Sequence, residues 1–366
     1  MTVGDVIRFL EEVYPRQYAE DFDNTGLLVG DEKTEVKGIL VTHDTTDAVL
    51  DEAIATGKNL IVSFHPLIFK GLKAITGADY VQKAVIKAIR HNISVYSPHT
   101  AVDNHHRGVS YLTAKALGLE NIRILLPKQG SFMQLVTYVP HAHAEKVRQA
   151  VFAAGAGKIG NYDECSFNIQ GTGTFRPDES ANPFVGERGK RHEESETRIS
   201  VVFPAHLTSS VLRSMLQAHP YEEPAYEIFR LKNPHPEIGI GSIGEFPGEM
   251  SEENFLAHVK TVLGTPVLRH SSLRGKPVKK VALVGGSGAF AIDTAKKQGA
   301  DAFVSGDFKY HDFFKGGKDM LLVDAGHYES ERFTAGELVR ILSEKFPNFA
   351  VAETKVNVNP INYYQQ

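Results

Sequence analysis

The chain has 366 residues, a single cysteine, 16 histidines and a formal net charge of −4. This charge argues against a protein that wraps nucleic acid through a basic face, and the hydrophobic content of 42% excludes a disordered chain. The lone Cys165 excludes an internal disulfide and any all-cysteine metal site, so a bound metal needs His, Asp and Glu ligands. With no signal-peptide pattern and no apolar run of membrane-spanning length, we expect a cytoplasmic protein.

Both ends of the chain predict alternating strands and helices after a first amphipathic helix that Thr2 and Asp5 cap. This alternation is typical of parallel sheets with crossover helices, and therefore of an α/β fold. The predicted strands are Val36–Thr42, Asn59–Phe64, Ile93–Tyr96, Lys279–Val284, Asp301–Val304, Met320–Val323 and Phe349–Val356, and the longest predicted helix is Glu329–Lys345.

The middle of the chain has a different pattern, in which a strand ending in proline is followed by a helix and a strand, twice. The first copy starts with Gln134–Pro140 and the second with Thr197–Pro204, and the polar segment Gly186–Ser195 between them predicts an exposed loop. The weak repeat indicates a ferredoxin-like α+β domain. We place this insertion at residues 127–235 and its host at 1–126 plus 236–366. Three consecutive domains are the alternative, which is less favoured because neither flank alone completes a sheet.

Histidines and carboxylates follow most of the predicted host strands. Since the carboxyl ends of parallel strands share one edge of a sheet, these residues should converge there. A single such histidine is usually only a hydrogen-bonded loop residue, but the joint pattern predicts a site for zinc, iron or manganese. The residues are His43 and Asp44, His65, His99 and Asp103, Asp307 and His311, and His327 with Glu331 four positions later.

A glycine-rich turn follows the strand Lys279–Val284. Its segment 286–291 fits the relaxed pattern G-x-G-x-x-A that opens a helix in dinucleotide-binding proteins. A tight strand-to-helix turn explains the same glycines without a ligand. We keep a dinucleotide site only as an alternative at this point.

Several motifs together resemble the NIF3 family, whose members also carry the name GTP cyclohydrolase 1 type 2 homolog. They span nearly the whole chain, and the middle resembles the PII/CutA-like domain inserted into longer bacterial members. The matching segments are DNTGL at 23–27, FHPLIF at 64–69, HTAVD at 99–103, VGGSG at 284–288, SGD at 305–307, GHYESE at 326–331 and, in the middle, GNYDEC at 160–165 and HPYEE at 219–223.

The resemblance implies a centre of two divalent metals between two α/β subdomains. By similarity, one metal would use His65, Asp103 and Glu331, and the other His327 and Glu331, so that Glu331 bridges them. The family pattern has two adjacent histidines at this point, but this chain has Phe64 in the first position. A phenyl ring cannot ligate, and the second metal therefore loses a ligand.

His43 offers a substitute for the missing ligand. It ends the strand expected beside Asn59–Phe64 and could supply the imidazole that Phe64 does not. The alternative is that His43 is an ordinary loop residue. We therefore expect one or two divalent metals per chain.

Two functions from different classes remain open. A metal-dependent hydrolase, acting on nucleotide-like substrates by resemblance, would use His99 and His311 for proton transfer. A non-catalytic metal-binding or regulatory protein, with an insert that senses a small molecule, is the alternative that Phe64 favours. By resemblance the chain also forms a homohexamer.

Overall fold

The computed structural model describes residues 1–364 and divides the chain into two compact units. The outer unit comprises residues 1–127 together with the chain from Pro236 onward, and the middle unit comprises Lys128–His235. None of the helices in residues 1–364 has the length and apolarity that a bilayer crossing requires.

The outer unit begins with the predicted amphipathic helix. Thr2 and Asp5 form a reciprocal cap, in which each side chain accepts a hydrogen bond from the other residue's backbone N–H. The helices in residues 1–364 are α1 (Val3–Val13), α2 (Asp47–Ala55), α3 (Tyr80–Arg90), α4 (Thr100–Asp103), α5 (Val109–Ala116), α6 (Ala144–Ala153), α7 (Thr208–Ala218), α8 (Glu252–Leu263), α9 (Ile292–Lys297), α10 (His327–Glu331) and α11 (Phe333–Lys345).

The strands form three sheets. They are β1 (Gly26–Val29), β2 (Ile39–Thr42), β3 (Leu60–Ser63), β4 (Ser94–Ser97), β5 (Glu120–Gln129), β6 (Phe132–Pro140), β7 (Ser166–Phe175), β8 (His192–Pro204), β9 (Tyr226–Leu231), β10 (Pro234–Met250), β11 (Arg269–His270), β12 (Val278–Ser287), β13 (Ala302–Gly306), β14 (Leu321–Asp324) and β15 (Val351–Glu353).

The first sheet has the order β1-β4-β3-β2-β15. Its strands β4, β3, β2 and β15 are parallel, whereas β1 pairs with β4 antiparallel. Apolar side chains from β2 and β3 pack on both faces, with Ile39 and Val41 on one side and Leu40 on the other. Burial on both faces explains why these strands are continuous apolar runs.

The second sheet has the order β11-β14-β13-β12-β10-β5. Strands β12, β13 and β14 are parallel, β10 pairs antiparallel with β12, and β11 pairs antiparallel with β14. Residues of β12 again alternate between two cores, with Val281 and Leu283 on one side and Ala282 and Val284 on the other. The carboxyl ends of β13 and β14 lead into the segments that carry Asp307 and His327.

The middle unit contains the elements β6-α6-β7-β8-α7-β9 in the βαββαβ order that the sequence repeat predicts. Its antiparallel sheet has the order β7-β8-β6-β9. One face of the sheet packs on α6 and α7 through a core that includes Leu135, Ile199 and Val201.

Several predicted boundaries were wrong. The long helix predicted over Glu329–Lys345 is two helices, α10 and α11, which meet at Arg332. The loop predicted over Gly186–Ser195 ends early, because β8 begins at His192. The last strand is only Val351–Glu353. Strands β5 and β10 were not predicted, since β10 contains prolines and glycines that resemble loop signals.

Candidate metal centre

Three side chains from distant parts of the sequence meet in the outer unit. His65 follows β3, whereas His327 and Glu331 are the first and last residues of α10. Their candidate ligand atoms all lie within 4.8 Å of one another. The spacing of four residues places His327 and Glu331 on the same side of the helix, one turn apart.

The carboxylate of Glu331 shows that these residues fit a cation. Its Oε2 atom is buried and has no hydrogen-bond partner within residues 1–364. The same atom lies 3.2 Å from Nε2 of His65 and 3.4 Å from Nε2 of His327. A buried, unpaired carboxylate oxygen is unfavourable unless a further group binds it. Two imidazoles and one carboxylate suit zinc, iron or manganese.

Both histidines are oriented by a second carboxylate. Nδ1–H of His65 donates to Oδ1 of Asp44 at 3.0 Å, and Nδ1–H of His327 donates to Oδ2 of Asp307 at 2.7 Å. Each Nδ1 is therefore the protonated nitrogen of the neutral ring, and each Nε2 keeps its lone pair for a metal. The sequence places Asp44 and Asp307 after strands but does not predict these pairings.

The charges of the centre shift its pKa values in opposite directions. Burial disfavours the charged form of His65, but Asp44 and Glu331 outweigh it and raise the pKa of His65 to about 10. Burial would raise the pKa of Glu331, but the proximity and charge of His65, together with the charge of His327, outweigh it, so the pKa is lowered. The pKa of His327 is raised as well, since its bond to Asp307 overcomes burial. In the absence of metal, the protonated histidines therefore balance the negative charge of the buried carboxylate.

Asp103 lies near the three-residue group formed by His65, His327 and Glu331. It is not one of the residues whose ligand atoms lie within 4.8 Å of one another. It is the last residue of α4. Burial and the negative charge of Glu331 raise the pKa of Asp103 to about 7. The carboxyl group is thus close enough to respond to Glu331, although the structure does not bring it into the three-residue group.

The predicted substitute ligand His43 is also outside the three-residue group. It is 2% exposed, and its Nε2–H donates to the backbone carbonyl of Glu331 at 3.0 Å. Burial lowers the pKa of His43, so the ring is neutral. In this geometry His43 fixes the end of α10 that carries Glu331.

Phe64 is fully buried and forms one wall of the centre. Its ring centroid lies 4.9 Å from that of His65, 5.5 Å from that of His43 and 5.6 Å from that of His99. It also belongs to the core beneath the first sheet. An apolar ring therefore stands where the family pattern has an imidazole.

The two predicted proton-transfer histidines lie in different surroundings. His99 has its ring centroid 5.4 Å from that of His65, and its Nδ1–H donates to Oδ1 of Asp23 at 2.8 Å. The Asp23 side chain is fully buried, and hydrogen bonds from His99 and Thr100 outweigh that burial and lower its pKa. His311 is instead exposed and contacts Tyr310 and Phe314.

Gly286 explains part of the glycine-rich pattern. A Cβ atom at this position would collide with the Glu331 carboxylate and would lie 3.2 Å from Nε2 of His327. Its φ of +64° also favours glycine. The turn is therefore shaped to admit the two ligand side chains, a reason that the G-x-G-x-x-A pattern by itself does not reveal.

Two histidines and a glutamate at the strand ends of a two-sheet α/β unit define the class: α/β proteins with a candidate centre for a divalent metal. Comparison with known proteins is more specific. Residues 1–360 match the profile of Duf34/NIF3 (NGG1p interacting factor 3), and the chain belongs to this family.

Curated relatives are similar over nearly their full length. A Halalkalibacterium halodurans protein named GTP cyclohydrolase 1 type 2 homolog is 36% identical over 363 residues, which cover 98% of each chain. A Bacillus subtilis protein of the same name is 36% identical over 361 residues and 96% of each chain. A crystal structure of a Bacillus cereus protein related to NIF3 has a TM-score of 0.85 at 36% identity, covering 100% of this chain and 99% of that one.

Proposed function

We propose that the protein is a metal-dependent hydrolase with one well-formed divalent metal site, held by His65, His327 and Glu331. The observation that carries the proposal is the buried, unpaired Oε2 atom of Glu331, which faces an Nε2 atom of each histidine. Zinc, iron and manganese all suit this ligand set. When bound, such a metal supplies Lewis-acid chemistry for hydrolysis.

The residues around the site have separate roles in this proposal. Asp44 and Asp307 keep the two imidazoles in the ligating tautomer. Asp103 is a further candidate ligand, because the negative charge of Glu331 reaches its carboxyl group and raises its pKa. Phe64 excludes water from one side because its ring is buried against the histidines.

His99 is the proposed proton-transfer group. Its Nδ1–H is engaged by Asp23, which leaves Nε2 to take or give a proton beside the centre. The buried Asp23 carboxylate fixes the orientation and tautomer of the ring, as a carboxylate does behind a general base. His311, the second residue predicted for this role, is a weaker candidate because its ring contacts in the described part of the chain are with Tyr310 and Phe314 and not with His65, His327 or Glu331.

A pair of matched variants tests this assignment. Metal content by plasma mass spectrometry and hydrolysis of a nucleotide and phosphoester panel should be measured for His99→Ala and His311→Ala. We expect His99→Ala to keep its metal and to lose about 10²–10⁴-fold in turnover. His311→Ala should keep both its metal and its turnover. Loss of metal in Glu331→Gln should remove turnover entirely. Full turnover in His99→Ala would refute its role.

The substrate proposed here is nucleotide-like, because the curated relatives carry the name GTP cyclohydrolase 1 type 2 homolog. We further propose a PII/CutA-like character for the middle unit, since its βαββαβ order matches such modules. By family resemblance we propose a cytoplasmic homohexamer. Sedimentation of the purified chain would detect a monomer and contradict that assembly.

A non-catalytic metal-binding or regulatory protein is the second candidate function. Phe64 favours it, because the chain lacks one imidazole of the family pattern. The two functions differ in one measurement. A metal-loaded protein that hydrolyses no member of the panel with zinc, iron or manganese supports the regulatory function.

A further inference from the structure

The middle unit contains a cavity of about 790 Å³ that is lined only by its own residues. It lies on the face of the sheet that does not pack on α6 and α7. Its floor comes from β6, β7 and β8, and its walls come from the segment that follows β7 and from residues 221–225. This volume falls within the range of small-molecule sites, about 300–1,000 Å³.

A buried carboxylate lies in the floor of the cavity. Glu196 is 8% exposed, and its Oε1 atom accepts a hydrogen bond from the Tyr221 hydroxyl at 2.7 Å. Its Oε2 atom faces Gly173, where a Cβ atom would collide with it. Glycine at this position therefore leaves room for the carboxylate. Oε2 has no hydrogen bond from residues 1–364, so it remains able to accept one from a ligand.

An arginine stands beside this carboxylate. Arg198 is two residues further along β8, so it projects from the same face of the sheet and also lines the cavity. Its guanidinium has no ion pair or hydrogen bond to any residue in the described chain. Glu196 and Arg198 therefore line one cavity without forming an ion pair with each other, which is costly unless water or a ligand satisfies both. The other charged residues of the lining are Arg176, Asp178, Glu222 and Glu223.

Aromatic rings line the walls of the cavity, and a hydrogen bond joins the two wall segments. The Tyr221 ring lies 6.0 Å from that of Phe175 and 6.3 Å from that of Phe184, measured between centroids. The backbone N–H of Asn182 donates to Glu222 at 2.8 Å, which ties the two wall segments together. Aromatic walls favour a flat ligand, because ring faces stack with other π-systems.

We propose that this cavity binds a mononucleotide whose base is a planar heterocycle with adjacent N–H donors, as in guanine. Glu196 accepts from the N–H edge of the base, the aromatic walls contact its faces, and Arg198 binds the phosphate. Adenine fits less well, because its edge presents an acceptor nitrogen beside its amino group. This proposal is independent of the metal centre.

Gly171 allows a test that leaves the charges intact. It lines the floor, its backbone is not in the left-handed region, and a Cβ atom there would meet no atom within 4 Å. A valine at this position projects into the open space and suits a β-strand. Gly171→Val should therefore fill the cavity without disturbing the sheet.

The experiment is titration calorimetry of the full chain with GMP, guanosine and AMP. We expect one GMP per chain, with AMP about tenfold weaker or more. Glu196→Gln can still accept a hydrogen bond from Tyr221. It should lower the affinity for GMP and the affinity for guanosine alike, by about tenfold or more. Arg198→Gln should lower the affinity for GMP but not the affinity for guanosine. Gly171→Val should abolish binding of all three.

Glu193→Gln is the matched control, since it removes the same charge from the same strand outside the cavity lining. It should bind GMP as the wild type does. Thermal unfolding of each variant separates loss of binding from loss of fold. Absence of saturable GMP binding, equal affinity for AMP, or wild-type GMP affinity in Glu196→Gln would overturn the proposal.

Discussion

The Nδ1 atom of His65 lies 3.0 Å from Oδ1 of Asp44, the residue that follows His43 at the end of the neighbouring strand β2. This contact fixes both the tautomer of His65 and the direction of its ring. A similar contact joins His327 to Asp307 at 2.7 Å. The metal-binding geometry is therefore set by carboxylates that the ligand pattern alone does not include.

Removing either carboxylate should weaken metal binding while the ligands remain. We expect Asp44→Asn and Asp307→Asn each to lower zinc affinity by about 10–100-fold, measured by competition with a chromophoric chelator. Asp319→Asn is the matched control, because within residues 1–364 the Asp319 side chain forms an ion pair with Lys296 alone, at the surface. Unchanged affinity in both variants would mean that the ligands are oriented by other contacts.

Metal affinity should fall as the pH falls. The pKa of His65 is raised to about 10 in the metal-free site, so the ring carries a proton throughout the range from pH 6.5 to 8.5. Glu331 stays ionised because its pKa is lowered. A metal must displace the proton from His65, and apparent affinity should drop about tenfold for each pH unit lost. His327, whose pKa is also raised, steepens this dependence.

Calorimetry in buffers of different ionisation enthalpy measures this proton release directly. We expect at least one proton released per metal bound at pH 7.5. An affinity that does not change between pH 6.5 and 8.5 would contradict the protonated state of His65.

Restoring the family's adjacent histidine pair should increase metal content. We expect Phe64→His to raise the number of metals per chain from one to two, measured by plasma mass spectrometry. The metal-free variant should be less stable by roughly 1–3 kcal/mol, because Phe64 is a fully buried core residue. Phe64→Leu is the control, which alters the core without adding a ligand. One metal in both variants would show that the missing imidazole does not limit the second site.

A methyl group at Gly286 should block the centre. Gly286→Ala adds a Cβ atom against the Glu331 carboxylate, and we expect zinc binding to be lost. Gly299→Ala controls for backbone strain, since Gly299 has a similar φ of +72° but open space around it. Both variants should lose about 1 kcal/mol of unfolding free energy from the positive φ. Equal metal content in the two variants would disprove the steric role of Gly286.

The central strands were predictable because β-branched runs such as Ile39–Thr42 are buried on both faces and give a strong apolar signal. The edge strand β5 is half polar, and β10 contains prolines and glycines, so their pairing depends on neighbours that the local sequence does not reveal. His65, His327 and Glu331 could be predicted from strand ends and family motifs. The pairings of Asp44 and Asp23 could not, because they depend on which loops become adjacent when the sheet forms.

The hydrogen bond from His43 to the carbonyl of Glu331 joins residues 288 positions apart in the sequence. His65 likewise meets His327 and Glu331, which lie far later in the sequence. A growing chain therefore cannot present this centre before Glu331 has been synthesised, and until then it offers no finished site to capture a wrong ion. Metal selection must therefore follow the synthesis and folding of the segment that carries α10.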